Sequence, residues 1–182
     1  MAFMLMQTPD PATIRSALPD FSRTTHIFLP INDSQNPMAA EGGSHWSLLL
    51  VSLIDGVAFH YDSMGGSNER EAKNATDKLS WLLGRSGSLR FMNLTDAPQQ
   101  DNGSDCGVYV CIQMRHLLMK RLLNANSSTK ISMSMGGKMI DAPGGRKEML
   151  HVIEKFRKEG ERRRSYVRNT FVSSLRANPY QA

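Results

Sequence analysis

HWSLLLVSLIDGVAFHYDS, residues 45–63, reads as two strands and the turn that joins them. HWSLLLVSLI (45–54) is a near-continuous apolar run of the kind a strand buried on both faces shows, and VAFHYDS (57–63) is a second, aromatic-rich strand. Asp55-Gly56 between them is a two-residue hairpin signal. That turn pairs Ile54 with Val57 and so sets Asp62 opposite Leu49, four residues along the strand from His45. At about 3.3 Å per residue the two side chains are then on the order of 13 Å apart. His60 and Asp62 share one strand face by the period of two, a local structural pair.

Working outward, THIFLPI (25–31) is a short buried strand, followed by the polar loop NDSQNPMAAEGGS. SNEREAKNATDKLSWLLG (67–84) has the pattern of a helix, capped by Ser67 or Asn68 and stopped by Gly84, with Ala72, Ala75, Leu79, Leu82 and Leu83 inward. SLRFMNL (88–94) is a further strand, and a helix runs from Cys106 to about Leu123. Residues 124–145, rich in Ser, Met and Gly, read as a mobile connection, with Met133, Met135 and Met139 as packing rather than a metal site. A basic C-terminal helix spans 146–175. No repeat is visible. Strands first and helices last predict an α+β fold with a central mixed sheet flanked by helices.

A chain of 182 residues is long enough for one domain, 1–182, with its core in 25–123. Its net charge of +5 is uneven: residues 1–145 carry 12 basic against 13 acidic side chains, and residues 146–182 carry 10 against 4. That basic segment has no nucleic-acid reading motif and is expected to be the solvated face of a terminal helix rather than a nucleic-acid site. No apolar stretch reaches the length of a membrane span and MAFMLMQTPD lacks the form of a secretory signal, so no membrane partner is expected. Two cysteines five apart on one helix make no disulfide framework, which predicts a reducing compartment, cytoplasm or nucleus. No His/Cys/Asp cluster has metal-ligand spacing and no Gly loop cradles a phosphate, so neither metal nor cofactor is expected.

The chemistry concentrates in APQQDNGSDCGVYVC, residues 97–111. A free cysteine on an apolar helix is usually a small buried hydrophobe. Cys106, however, opens its helix, where unpaired N–H groups and the macrodipole favour a thiolate, and Gly107 leaves the adjoining backbone open. Cys111, five residues on, points elsewhere among Val108, Ile112 and Leu118; the expectation is that Cys111 is the core cysteine and Cys106 the exposed one. A thiol nucleophile needs a base and a group to orient it. Of the five histidines, His26, His116 and His151 have ordinary settings, which leaves His45 and His60, with Asp62 the carboxylate close to both.

GGSHWSLLL, then FHYDS with Asp62 seventeen positions after His45, then PQQDNGSDCGVYVC, together resemble the ubiquitin-like-protein proteases, the sentrin/SUMO-specific cysteine protease family. FLPINDSQNPMAAEGGSHWSLL and FHYDS are most similar to its deneddylase branch, which acts on the Nedd modifier. The resemblance spans about residues 25–123. It implies a papain-like cysteine protease fold of the ubiquitin-like-protease type and cleavage after a Gly-Gly terminus, with a Nedd-type modifier and its conjugates as partners and the chain a monomer. SUMO as the modifier, and a catalytically weak modifier-binding module, are the alternatives.

By the same resemblance Cys106 is the nucleophile, His45 the base, Asp62 its orienting acid, and Gln100, six positions before the cysteine, an oxyanion donor. Trp46 walls the channel for the glycine tail, and Asn32 and Asp33 meet the modifier. The family's domain begins with a Trp-Leu-Asn-Asp-type segment that supplies a second aromatic lid. Residues 1–24 contain nothing like it, so the N-terminal part of that domain is expected to be missing.

Overall fold

Four strands form one mixed sheet in the order β1 (His26–Asn32), β2 (Trp46–Ser52), β3 (Val57–Tyr61) and β4 (Arg90–Asn93). The first two pairings are antiparallel and β3–β4 is parallel, the crossover carrying helix α2 (Glu69–Leu82). This is a computed structural model, and it describes residues 2–36, 42–84, 89–125 and 131–176, with side chains between residues 5 and 166. The expected α+β architecture, a central mixed sheet flanked by helices, is the one found.

The sheet is covered on both faces, which is why β2 reads as an unbroken apolar run. On one face Ile27, Leu29, Ile31, Leu49, Val51 and Ala58 pack with Ala72, Ala75, Leu79 and Leu82 of α2. On the other, Leu48, Leu50 and Tyr61 pack with Val110 and Leu117 from the helix that Cys106 opens. That helix, α3 (Cys106–His116), widens into a π-helical turn over Leu117–Leu122. Met133 and Met135 are buried in this second cluster, the Tyr61 hydroxyl donating to the Met133 carbonyl (2.8 Å), whereas Met139 is exposed. Residues 126–130 of the expected mobile connection lie outside the described residues. Pro30 lies in β1, an edge strand, where a missing N–H is tolerated.

Residues 2–24, where no element was expected, contain helix α1 (Ala2–Gln7) and a 3₁₀ segment (Pro11–Ala17). Asp10 caps the latter by accepting from the Ala12 N–H (2.9 Å), and Pro11 stands where a missing donor is harmless. Leu5, Met6 and Ile14 are buried in the α2-side core. The Lys78 ammonium donates to the Met6 and Thr8 carbonyls, both at 2.7 Å, satisfying the end of α1.

The β2–β3 turn differs from expectation. Ser52, not Ile54, pairs with Val57, so the loop is four residues, Leu53 to Gly56. The Ser52 hydroxyl donates to the Asp55 carboxylate (2.6 Å) and accepts from the Asp55 N–H (3.2 Å), and Gly56 supplies the positive φ of 66°. The pairing is shifted by two residues from the two-residue turn. Continued one step past Leu48–Tyr61, it sets Asp62 opposite Ser47 and only two residues from His45.

The chain divides into two compact units, Met1–Ile140 and Asp141–Ala182. The second is helix α4 (Ala142–Arg176), which begins four residues before the expected 146. Asp141 accepts from the Gly144 N–H (2.9 Å), and Pro143 falls in the first turn, where it breaks no helical bond. Leu150, Ile153 and Phe156 along it are exposed.

Candidate active site

His45 immediately precedes β2, and Asp62 immediately follows β3. The shifted register makes them diagonal neighbours on one sheet face, which long side chains span. His45 Nε2 lies 2.7 Å from Asp62 Oδ1, both side chains being buried. The four-residue loop thus halves the roughly 13 Å separation implied by a tight turn, and the two side chains span the rest. Asp62 Oδ1 also accepts from the Met64 N–H (2.8 Å), and Oδ2 accepts from the Asn68 N–H (2.9 Å). Burial by itself would raise the Asp62 pKa; the hydrogen bonds from His45, Asn68 and Met64 outweigh it and hold the carboxyl below its ordinary value. An ionised Asp62 only accepts, so Nε2 carries the imidazole proton and Nδ1 is the basic nitrogen. Nδ1 is buried with no hydrogen-bond partner, so none joins it to Cys106 in this conformation.

Cys106 is the first residue of α3, and the expected exposure of the two cysteines is reversed. Cys106 is buried, 7% exposed, and Cys111 is exposed. The reason is the helix's inner stripe: Cys106, Tyr109, Val110, Gln113 and Leu117 recur at helical spacing and face inward, and position 111 falls off it. The thiol thus sits at the sheltered end of α3, beside unpaired first-turn N–H groups.

The loop before the cysteine is tied to the segment after Asp62. The Gln100 N–H donates to the Ser63 carbonyl (2.9 Å), and Gln100 Oε1 accepts from the Ser63 hydroxyl (2.6 Å). With its oxygen so held, the Gln100 amide nitrogen donates one proton to the Asn102 carbonyl, and its second proton meets no acceptor among the described residues. Gln99 Nε2 donates to the Asp62 carbonyl (2.9 Å), and Gln99 Oε1 accepts from the Gly65 N–H (2.8 Å). Gln99 and Ser63 were not singled out from sequence. The Gln-Gln doublet was the available signal, both members bonding to the segment 62–65.

Trp46 opens β2 opposite Asn32 and is 45% exposed. Asn32 is buried: its amide nitrogen donates to the His45 carbonyl (3.0 Å), and its oxygen accepts from the Ser34 N–H (2.9 Å). Asp33 Oδ1 accepts from the N–H groups of Ser44 (2.6 Å) and His45 (2.9 Å), and Oδ2 from the Ser44 hydroxyl (2.6 Å). Both residues thus grip the main chain around His45. Gly43, at φ 83°, lets that loop close; a Cβ there would lie 2.2 Å from Asn32 Oδ1.

His60 is fully buried and 4.0 Å from Asp62 Oδ2, the local pair expected of a shared face. Its hydrogen bonds go elsewhere, Nδ1 to Asn93 Oδ1 (3.0 Å) and Nε2 to the Ser47 hydroxyl (2.9 Å). Asn93 in turn donates to Glu69 (2.9 Å). Desolvation lowers the His60 pKa more than nearby Asp62 raises it. His60 is therefore a neutral, doubly bonded core histidine, and His45 is the one with a free nitrogen.

The chain is 41% identical over 154 residues to NEDD8-specific protease 2 of Schizosaccharomyces pombe, covering 84% of this chain and 36% of that protein. It is 42% identical over 105 residues to human sentrin-specific protease 8, covering 57% of this chain and 49% of that protein. The chain thus spans between about a third and a half of the length of these curated relatives. A solved C-terminal Ulp1 protease domain in complex with Smt3, the yeast ortholog of SUMO, aligns at TM-score 0.46 and 22% identity, over 63% of this chain and 51% of that one. Residues 7–138, which hold all four strands, α2, α3 and every residue of the site, match the Ulp1 protease family, C-terminal catalytic domain: the chain belongs to that family.

Proposed function

We propose that this chain is a cysteine-type isopeptidase and processing protease that cleaves after the Gly-Gly terminus of a ubiquitin-like modifier of the Nedd type. The observation that carries the reading is the 2.7 Å His45–Asp62 pair, which uses Nε2 and leaves Nδ1 buried and unpartnered. It stands on the same loop framework as a cysteine at a helix start.

In this mechanism Cys106 Sγ attacks the carbonyl of the terminal glycine and its proton passes to His45 Nδ1. Asp62 stabilises the imidazolium through Nε2–H. The second proton of the Gln100 amide and the Cys106 N–H receive the oxyanion, at roughly 3–4 kcal/mol per donor. His45 then returns the proton to the leaving amine, a thioester remains on Cys106, and water activated by His45 releases the modifier. Trp46, half-exposed beside His45, walls the channel that only a glycine tail threads. Asn32 and Asp33 hold the loop against which the modifier docks. The identity of 41% to a protein named for NEDD8 favours the Nedd type over SUMO. We place the activity in cytoplasm or nucleus, where both cysteines stay reduced.

Covalent capture tests this. The chain and its Cys106→Ala variant are incubated with Nedd-type and SUMO-type modifiers bearing a thiol-reactive C-terminus, and adducts are read by mass. An adduct with the Nedd-type modifier, absent in the variant, is expected. A SUMO adduct alone would overturn the modifier assignment. Binding of the unmodified modifier with no adduct would make the chain a docking module.

A further inference from the structure

Asn68 stands one residue before α2, is 1% exposed, and touches both members of the histidine–aspartate pair. Its backbone N–H donates to Asp62 Oδ2 (2.9 Å). Its side-chain amide nitrogen donates to the His45 carbonyl (3.2 Å) and reaches the Ile31 carbonyl (3.4 Å). Asn32 meets the same His45 carbonyl and Asp33 holds the His45 N–H, but neither bonds to Asp62.

Two features set Asn68 apart from an ordinary residue at a helix start. Asparagine there normally turns its oxygen back to accept from its own helix's first N–H groups. Asn68 makes no such capping bond, and its Oδ1 is buried with no partner. A residue present only to start α2 would not leave an acceptor stranded while sending its donor to another strand's end. The β1–β2 ladder also stops at Asn32–Trp46, so the His45 peptide groups lie beyond it. Side chains stand in for the missing strand neighbour. The turn that returns Asn68 to this point runs through Gly65 and Gly66, with φ of 64° and 87°.

We propose that Asn68 is a positioning residue for the reaction: one residue fixes the His45 main chain against the Asp62 carboxylate, so the imidazole cannot drift from its orienting acid. This rests on the reading of His45 as the base. Displacing a catalytic group by about 1 Å lowers rates by up to roughly 100-fold, and this is the scale at stake.

The discriminating variant is Asn68→Ser. Serine is at least as good a helix cap but too short to reach the His45 carbonyl. A purely structural role predicts wild-type Tm and wild-type chemistry. Positioning predicts a near wild-type Tm with kcat lowered roughly 10- to 100-fold at unchanged KM, on a modifier carrying a C-terminal fluorogenic amide. Two readouts need no modifier and are taken on the full chain in a Cys111→Ser background. They are the low-field proton resonance of the His45–Asp62 hydrogen bond, and the pH profile of Cys106 alkylation by iodoacetamide. In Asn68→Ser the resonance is expected to broaden or vanish and the alkylation profile to shift. Should Asn68→Ser fail to fold, Asn68→Asp, which keeps the shape and turns an acceptor towards the His45 carbonyl, gives the same comparison. An unaltered resonance and alkylation profile in the folded variant overturn the inference. Absence of turnover in the wild type would overturn the proposed activity instead.

Discussion

Replacing Asp62 by Asn removes one charge and turns one acceptor into a donor, and the geometry fixes the consequence. Three donors converge on the carboxylate: His45 Nε2 and Met64 N on Oδ1, at 2.7 and 2.8 Å, and Asn68 N on Oδ2, at 2.9 Å. An amide has one oxygen. Turned toward His45 and Met64, it leaves its NH₂ facing the Asn68 N–H; turned the other way, it confronts two donors. The first orientation loses one hydrogen bond and wins. One unmet buried donor is worth about 1–3 kcal/mol, so Tm should fall by roughly 2–12 °C. His45 keeps its tautomer but loses the anion beside its charged form. Opposite charges about 4 Å apart in a surrounding of effective dielectric 20 attract by about 4 kcal/mol. Allowing half of this to be replaced by the amide dipole, kcat/KM on a modifier C-terminal amide should fall roughly 30- to 1,000-fold. Because the Asp62 pKa is depressed below 3.8, its contribution to stability is complete above that value and fades as pH drops through the lowered pKa. The stability gap between wild type and Asp62→Asn should therefore close in acid. Asp62→Ala, which strands all three donors, should be less stable than Asp62→Asn. An Asn variant no less stable than wild type, or within threefold of its kcat/KM, would refute the orientation of His45 through Nε2.

Gly43→Ala should harm the site more than Gly65→Ala, although both residues hold positive φ. A Cβ at 43 meets Asn32 Oδ1 at 2.2 Å and Asp33 Oδ1 at 2.6 Å, whereas one at 65 meets nothing within 4 Å. Gly65→Ala should show only the left-handed strain of about 1–2 kcal/mol, and Gly43→Ala that strain plus at least tenfold lower kcat/KM, read by denaturation and turnover; equal activities would count against the Asn32–Asp33 grip on His45. The buried His60 has a lowered pKa, so the folded state binds fewer protons than the unfolded chain below pH 6.5. Stability should decline as pH falls from about 6.5, by up to about 1.4 kcal/mol per pH unit, and His60→Gln should flatten that slope in urea titrations between pH 7 and 5.

The strands and α2 were legible because their signals are local: apolar runs, an amphipathic stripe, a glycine at the helix end. The four residues expected to do chemistry came from the family resemblance, and of these the structure joins His45 to Asp62. Register was not. Pairing Ile54 or Ser52 with Val57 leaves every residue on the same sheet face, so alternation of polar and apolar residues cannot tell a two-residue turn from a four-residue one. The choice rests on the Ser52–Asp55 clasp, which no periodicity reports. The cysteines were misplaced for a related reason. Gln113, a polar residue, lies on the inner stripe of α3, so hydropathy hides which side faces the sheet. Asn32 and Asp33, expected at the docking edge, also bond to the His45 main chain, a set of contacts across 12 or 13 residues of sequence that no local pattern reports. Among the described side chains of the first 24 residues, Leu5, Met6 and Ile14 are buried in the core and Leu18 and Phe21 pack against it, too sparse a pattern to stand out.

The four-residue turn has a consequence for how this catalyst can vary. It lies at the far end of the hairpin from His45 and Asp62, about 20 Å away for strands of this length. Yet it is the datum from which their alignment is measured. A change that favours the tight Asp55-Gly56 turn, such as Asp55→Asn combined with Ser52→Ala, would slide β3 by one full rung along β2. All the core side chains would keep their faces, so the sheet would tolerate the slip. Asp62 would be carried about 7 Å further from its histidine, and His60 would leave the Ser47 hydroxyl. Natural or engineered variation in that surface turn is thereby constrained as tightly as variation in the active-site residues, though it touches none of them.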